Sequence, residues 1–151
     1  MYQPLYQSHR LKPGRLSAGS ASLDLIVSPL VLDYIVDLPS IYKEFCRVLR
    51  SPGHLVFSIG HPFGDFLRQN EGSYFETRLV SETWRGFGVE VSMPFFRRSL
   101  EEVIGPLFSA GFCVNSLLEP PPTEEFKRVE PADFEKIKKQ PGFMAIRACK
   151  V

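Results

Sequence analysis

The period of the apolar positions changes several times along the chain, and each change marks an element. Residues 23–27 (LDLIV) form a short aliphatic run, the pattern of a parallel strand buried on both faces. Leu38, Ile41, Tyr42, Phe45, Val48 and Leu49 then recur at three- and four-residue spacing and draw one apolar stripe along a helix. Pro39 falls in the first turn, where its missing N–H is unpaired in any case. Pro52-Gly53 is the expected stop, and residues 55–59 resume the strand pattern. A strand, a helix and a strand at these lengths make a βαβ crossover with parallel, neighbouring strands.

Further along, two aromatic and branched runs, residues 74–84 and 89–96, flank Arg85-Gly86-Phe87-Gly88 and predict an antiparallel hairpin. Residues 65–72 between crossover and hairpin are polar and predict an exposed connection or lid. Ser99-Leu100-Glu101-Glu102 has the spacing of a capping box. Leu100, Val103, Ile104, Leu107 and Phe108 supply the buried stripe of its helix, Pro106 a kink or early end, and Gly111 the stop. A strand at residues 112–118 ends at three prolines. A short charged helix at 131–139 and a last strand at 143–149 complete the order. The expected organisation is an irregular lead-in, residues 1–22, and one α/β domain, residues 23–151.

Composition narrows the class. With 151 residues, 44% of them hydrophobic and 13% aromatic, the chain suffices for one packed core. A formal net charge of +1 gives no basic excess for nucleic acid or a membrane surface. No apolar run approaches the roughly 20 residues of a membrane helix. Cys46, Cys113 and Cys149 have neither metal nor redox spacing and read as reduced core residues of a cytoplasmic protein.

In an open parallel sheet, ligands bind beyond the carboxyl ends of the strands. Two loops leave the crossover strands at that end, Ser28-Pro29-Leu30 and Gly60-His61-Pro62-Phe63-Gly64. His61 is the candidate catalytic residue, as base or orienting group, because imidazole titrates near neutral pH; its plainer reading is a loop histidine fixed by Pro62. Asp33 reads as a solvated acid near a helix start. Arg97 and Arg98 are candidates to meet an anionic group on a substrate, with a surface pair beside Glu101 and Glu102 as the plainer reading. His9 and His54 read as ordinary surface or strand-edge residues.

Residues 24–63 (DLIVSPLVLDYIVDLPSIYKEFCRVLRSPGHLVFSIGHPF) resemble the fourth strand, following helix, turn and fifth strand of a class I S-adenosylmethionine-dependent methyltransferase of the small-molecule "type 11" group. LFSAGFCVNSLLEP at 107–120 is similar to that family's helix-to-strand passage, and FMAIRACK at 143–150 to its antiparallel last strand. The resemblance implies a partial doubly wound, Rossmann-like sheet, mainly parallel with an antiparallel last strand and an inserted hairpin. It implies methyl transfer from S-adenosylmethionine to a small molecule. It places Ser28, Pro29 and Leu30 against the cofactor, and Tyr74 and Trp84 in a substrate lid, where packing is their plainer role.

The chain departs from the family in one respect. The family's Gly-rich cofactor loop and the acidic residue after its second strand have no counterpart here, and 22 residues are too few for the strands that carry them. The chain therefore reads as a C-terminal, truncated portion, and the 151 residues alone are expected to bind the cofactor weakly or not at all. An apolar first strand without its neighbour would leave an open edge, which gives the alternative reading of a non-catalytic remnant that dimerises or binds a partner through it.

Overall fold

The computed structural model describes residues 14–85 and 88–151. Residues 1–13 of the lead-in, His9 among them, and positions 86 and 87 of the hairpin loop lie outside the described residues. The chain forms strand β1 (Leu23–Pro29), a 3-10 turn (Leu32–Tyr34), helix α1 (Leu38–Val48) and strand β2 (Leu49–Gly60). Helix α2 (Pro62–Gln69), strands β3 (Arg78–Trp84) and β4 (Val91–Arg97), helix α3 (Leu100–Ser109) and strand β5 (Phe112–Leu118) follow. Two short helices, α4 (Glu124–Val129) and α5 (Pro131–Ile137), lead to strand β6 (Phe143–Lys150). The main sheet has the order β1-β2-β6-β5, and β3–β4 form a separate antiparallel pair. β1 and β2 are parallel, while β6 opposes both β2 and β5. Three strands thus share one direction and the last runs against them, the expected Rossmann-like arrangement with an inserted hairpin.

One face of this sheet carries the core. Ile41, Tyr42 and Phe45 of α1 and Val103 and Leu107 of α3 pack with Leu55, Phe57 and Ile59 of β2 and Met144, Ile146 and Ala148 of β6. Fully burying a large aliphatic or aromatic side chain contributes about 1.5–3 kcal/mol, so this layer is the main stabilising term. At the start of α1, the Asp37 carboxylate accepts the Ser40 N–H at 3.0 Å and the Ser40 hydroxyl at 2.6 Å, with Pro39 in the first turn.

Several sequence expectations change. β1 is not buried on both faces: Ile26 packs against the core, but Leu25 is 53% and Val27 60% exposed. β1 ends the sheet among the described residues, and its second face meets solvent. Pro52-Gly53 does not stop α1, which ends at Val48; the two residues lie in β2, where the β1–β2 register is irregular. The real terminator is tertiary, since Lys150 Nζ donates to the carbonyls of Cys46 and Leu49 at 2.7 and 2.8 Å.

The segment 65–72 is not simply an exposed connection, because α2 occupies 62–69 and buries Asp65. Only half of the capping box forms. The Ser99 hydroxyl accepts the Glu102 N–H at 3.3 Å, whereas the Glu102 carboxylate takes a hydrogen bond from the Thr77 hydroxyl. The α3 stripe is narrower than predicted, with Val103 and Leu107 buried but Leu100 and Phe108 exposed. The helix runs on through Pro106 to Ser109, and Gly111 follows at φ +92°. Of the three cysteines, Cys113 is exposed and Cys46 and Cys149 are half-buried, so none is a fully buried core residue. His54 lies in the interior of β2 rather than at an edge.

The described part of the lead-in docks on α1. The Ala21 and Ser22 N–H groups donate to the carbonyls of Arg47 and Val48, and the Arg47 guanidinium reaches Ser20 and the Ala18 carbonyl. Among the described residues no helix is long and apolar enough to cross a membrane.

Candidate functional site

The carboxyl ends of β1 and β2 meet at Leu30 and Gly60. Leu30 takes a left-handed conformation, φ +49°, unusual for a residue with a Cβ. Its N–H donates to the Ser58 carbonyl at 2.9 Å, which ties the end of β1 to β2. The chain then turns through Leu32–Tyr34 and brings the Asp33 carboxylate onto the Gly60 N–H at 3.0 Å. From the other side, α2 begins immediately after His61 and presents Asp65 to the same glycine. A Cβ at Gly60 would come within 2.8 Å of Asp65 Oδ2, so only glycine lets the second carboxyl approach. Two carboxyl groups therefore converge on one glycine at the end of β2.

Arg68, one turn along α2, pairs with Asp65 and with Glu82 of β3, the latter at 3.2 Å. A cavity of about 140 Å³ opens beside this cluster. Leu30, Tyr34, Trp84, Phe95 and Phe143 form its apolar wall, and Asp33, Asp65, Arg68 and Glu82 its polar side. Burial pushes the Asp33 carboxyl up to about 6, against the lowering effects of the Gly60 N–H, Arg98 and Arg68. Burial pushes Asp65 up further, to about 7; Arg68 opposes this, and the charges of Asp33 and Glu82 add to it. Desolvation outweighs the ion pair because Asp65 is only 4% exposed and shares the site with two other acids. Carboxyls that exchange a proton near neutral pH in a cavity are suited to general acid–base chemistry.

The sequence-predicted residues divide around this cavity. Leu30 and Trp84 line it. Ser28 is buried in β1 one position before Pro29, at the strand's end. Tyr74 is elsewhere: its ring meets Phe63, Phe66 and Phe75 edge-on or tilted, and its hydroxyl accepts the Leu100 N–H at 2.9 Å, at the start of α3. Arg97 is 1% exposed and donates to the carbonyls of Glu71 and Ser73 at 2.6 and 2.9 Å, while its guanidinium lies over Phe66. Arg98 is buried, donates to the carbonyls of Ile35 and Val36, and lies over Phe96. Both arginines thus fasten the hairpin to neighbouring backbone, and neither presents a free guanidinium to the cavity.

His61 caps α2. Its Nδ1 accepts the N–H groups of Phe63 and Gly64 at 3.2 and 3.4 Å, and its Nε2 lies 2.7 Å from Glu119 Oε1. With Nδ1 accepting, the ring proton sits on Nε2 and donates to the Glu119 carboxylate. Both ring nitrogens are engaged and the side chain is outside the cavity lining, which is the geometry of the plainer, loop-fixing reading. Asp33, read from sequence as a solvated acid, and Asp65, placed in an exposed connection, are the groups brought to the cavity. The available signal was positional, since both flank the carboxyl ends of adjacent parallel strands.

The family described as "Methyltransferase domain" matches residues 7–57. No curated protein matches the chain. Among solved structures, a protein assigned as an S-adenosylmethionine-dependent methyltransferase from Listeria monocytogenes is similar at TM-score 0.73 and 23% identity, over 90% of this chain and 65% of that one. An S-adenosylmethionine-dependent methyltransferase from Mesorhizobium loti gives 0.64 and 19%, over 90% and 66%. Geranyl diphosphate C-methyltransferase from Streptomyces coelicolor gives 0.60 and 14%, over 90% and 48%. The chain spans just under two thirds of the first two structures, at 65% and 66%. This chain has the fold of the class I S-adenosylmethionine-dependent methyltransferases over the part of their length that it spans.

Proposed function

We infer that the chain acts in methyl transfer from S-adenosylmethionine to a small-molecule acceptor, with the acceptor seated between Trp84, Phe95 and Phe143 and facing Asp33 and Asp65. The supporting observation is the cavity itself: it opens at the carboxyl ends of two adjacent parallel strands and combines aromatic walls with two buried carboxyls. The residues fit one flank of the cofactor. Ser28, Pro29 and Leu30 form a ledge at the end of β1, and the left-handed turn at Leu30 brings backbone to the mouth of the cavity. When bound, the cofactor supplies an electrophilic methyl on a sulfonium centre. The chain's own residues hold the acceptor, exclude water and take the proton that an N–H or O–H acceptor loses as its lone pair bonds to the methyl carbon. Ionised Asp65 is the proton acceptor and Arg68 steadies its charge. His61 positions the start of α2, and hence Asp65, without touching the acceptor.

Transfer of label from methyl-labelled S-adenosylmethionine to a panel of small amines, phenols and heterocycles tests this reading. Asp65→Asn should lower the transfer rate by about 10²-fold, while the apparent affinity for the acceptor changes little. Equal rates in the two proteins would refute the role of Asp65. Isothermal titration of the 151-residue chain with S-adenosylmethionine should show binding weaker than low-micromolar, because its sequence has no Gly-rich cofactor loop.

A second reading is favoured by one observation: among the described residues β1 ends the sheet, with Leu25 and Val27 exposed. It gives a homodimer of this chain through β1, with methyl transfer absent. Light scattering during size-exclusion chromatography separates the two readings when combined with the label assay.

A further inference from the structure

Cys113 and Cys149 are 36 positions apart in sequence, but the fold places them side by side. They are directly opposed partners in the antiparallel β5–β6 ladder. Opposed residues in such a ladder have Cα atoms about 4.5 or 5.5 Å apart, depending on the pair type. Both separations fall within the roughly 4.4–6.8 Å that a disulfide spans. The two side chains also share a face. Phe112 and Val114, on either side of Cys113, pack with the core, as does Ala148, while Lys150 reaches back to the end of α1. The intervening positions, Cys113 and Cys149, therefore stand on the opposite face of the sheet.

The surroundings favour a reactive pair. Cys113 is exposed and Cys149 half-buried, so one thiol is open to a reagent and its neighbour is sheltered beside it. His54 is the partner of Cys149 across β2–β6, and its Nδ1 is buried without a hydrogen-bond partner. Arg147, two residues from Cys149 and on the same face, holds Asn115 of β5 at 3.0 Å and adds positive charge. Among the described residues no group of three His, Cys, Asp or Glu side chains is set to hold a metal ion, so the arrangement is that of a dithiol rather than a metal site.

We propose that Cys113 and Cys149 form a redox site that closes to a cross-strand disulfide by exchange with a low-molecular-weight disulfide. The Cys113 thiolate attacks one sulfur of the reagent; the reagent's S–S bond breaks, a mixed disulfide forms, and one small thiolate leaves. The Cys149 thiolate then attacks Cys113 Sγ and expels the second small thiolate. The two protons lost by the cysteines are taken up by the two departing thiolates, so one reagent disulfide is reduced to two thiols as the protein dithiol is oxidised. Closure ties β5 to β6 and encloses α4 and α5 in a covalent loop. Cys46 stands apart, beside Gly111 at the end of α3, and takes no part.

The test is incubation of the 151-residue chain with oxidised glutathione, then thiol titration and peptide mapping without reductant. Free thiols should fall from the three in the sequence to one. The Cys113 and Cys149 peptides should appear linked, about 2 Da below their summed mass. Cys149→Ser should accumulate the glutathione adduct on Cys113, and Cys46→Ser should leave the linkage unchanged. Separate stable adducts on both cysteines of the parent chain, or a linkage that involves Cys46 or joins two chains, would overturn the proposal.

Discussion

At the scale of single residues, burial rather than identity decides the chemistry. His61 stands at the carboxyl end of β2 as expected, yet its two nitrogens serve backbone N–H groups and Glu119. His61→Ala should therefore destabilise the chain by about 0.5–2 kcal/mol, the range for a lost side-chain cap. His61→Asn, which keeps an acceptor at the cap, should recover part of that, as read from urea midpoints. Asp33 and Asp65 show the reverse: neither belongs to a motif, and both acquire shifted protonation from their surroundings. Their folded-state values, about 6 and about 7, lie above the ordinary aspartate value near 4. Between these limits the folded chain keeps protons that the unfolded chain has lost, so this contribution is complete below pH 4 and disappears as pH rises through 6 and 7. Asp37, lowered by its bonds to Ser40, acts in the opposite sense and only at acid pH. Unfolding midpoints should therefore fall between pH 5 and pH 8, and Asp65→Asn should flatten the slope; a midpoint that rises across this range would contradict the assignment.

At the scale of elements, what could be read from the sequence was what carries its own period. The β1–α1–β2 crossover, the hairpin, α3, β5 and β6 each show an apolar repeat and a turn signal. α2 and α4 do not. Residues 62–69 offer Gly64 and Asp65 to the interior, which looks polar to any periodicity argument. α2 is held instead by contacts remote in sequence. The His61 N–H donates to the Gly142 carbonyl at 3.0 Å, and Gly64 lies so close to the Pro141 carbonyl oxygen that a Cβ would overlap it. Gly64→Ala should accordingly cost about 1–3 kcal/mol through forced displacement of that turn, although alanine is the better helix former. Calorimetric or urea unfolding checks the sign, and an unchanged or raised stability would show that the 140–142 turn yields freely. The candidate cavity was half legible for the same reason. Leu30 and Trp84 were accessible through strand ends and a family likeness, whereas Asp65 depended on a helix that only tertiary contact creates.

At the scale of the whole molecule, helices cover the core face of the sheet, and among the described residues the sheet ends at β1 on one edge and β5 on the other. α1 and α3 cover the core face, but β1 ends the described sheet with Leu25 and Val27 in solvent. An edge strand with exposed aliphatic side chains and unpaired backbone groups is a template for another strand. Natural edges are commonly protected by lysine or another charge, and β1 carries only Asp24 in that role, paired to Arg50 at 2.7 Å. Self-association through this edge would bury Val27 and require its backbone to approach a second chain. Val27→Lys tests the edge directly: the position is 60% exposed and contributes little to the core, so stability should change by less than about 0.5 kcal/mol. A charge there opposes strand pairing, so an oligomer seen by light scattering at high protein concentration should shift to monomer in the variant. If the parent chain is monomeric throughout, or if the variant oligomerises equally, the edge is not the contact. The cavity at the other end of β1 does not depend on Val27, so label transfer should be unchanged in a monomeric variant that retains the proposed activity.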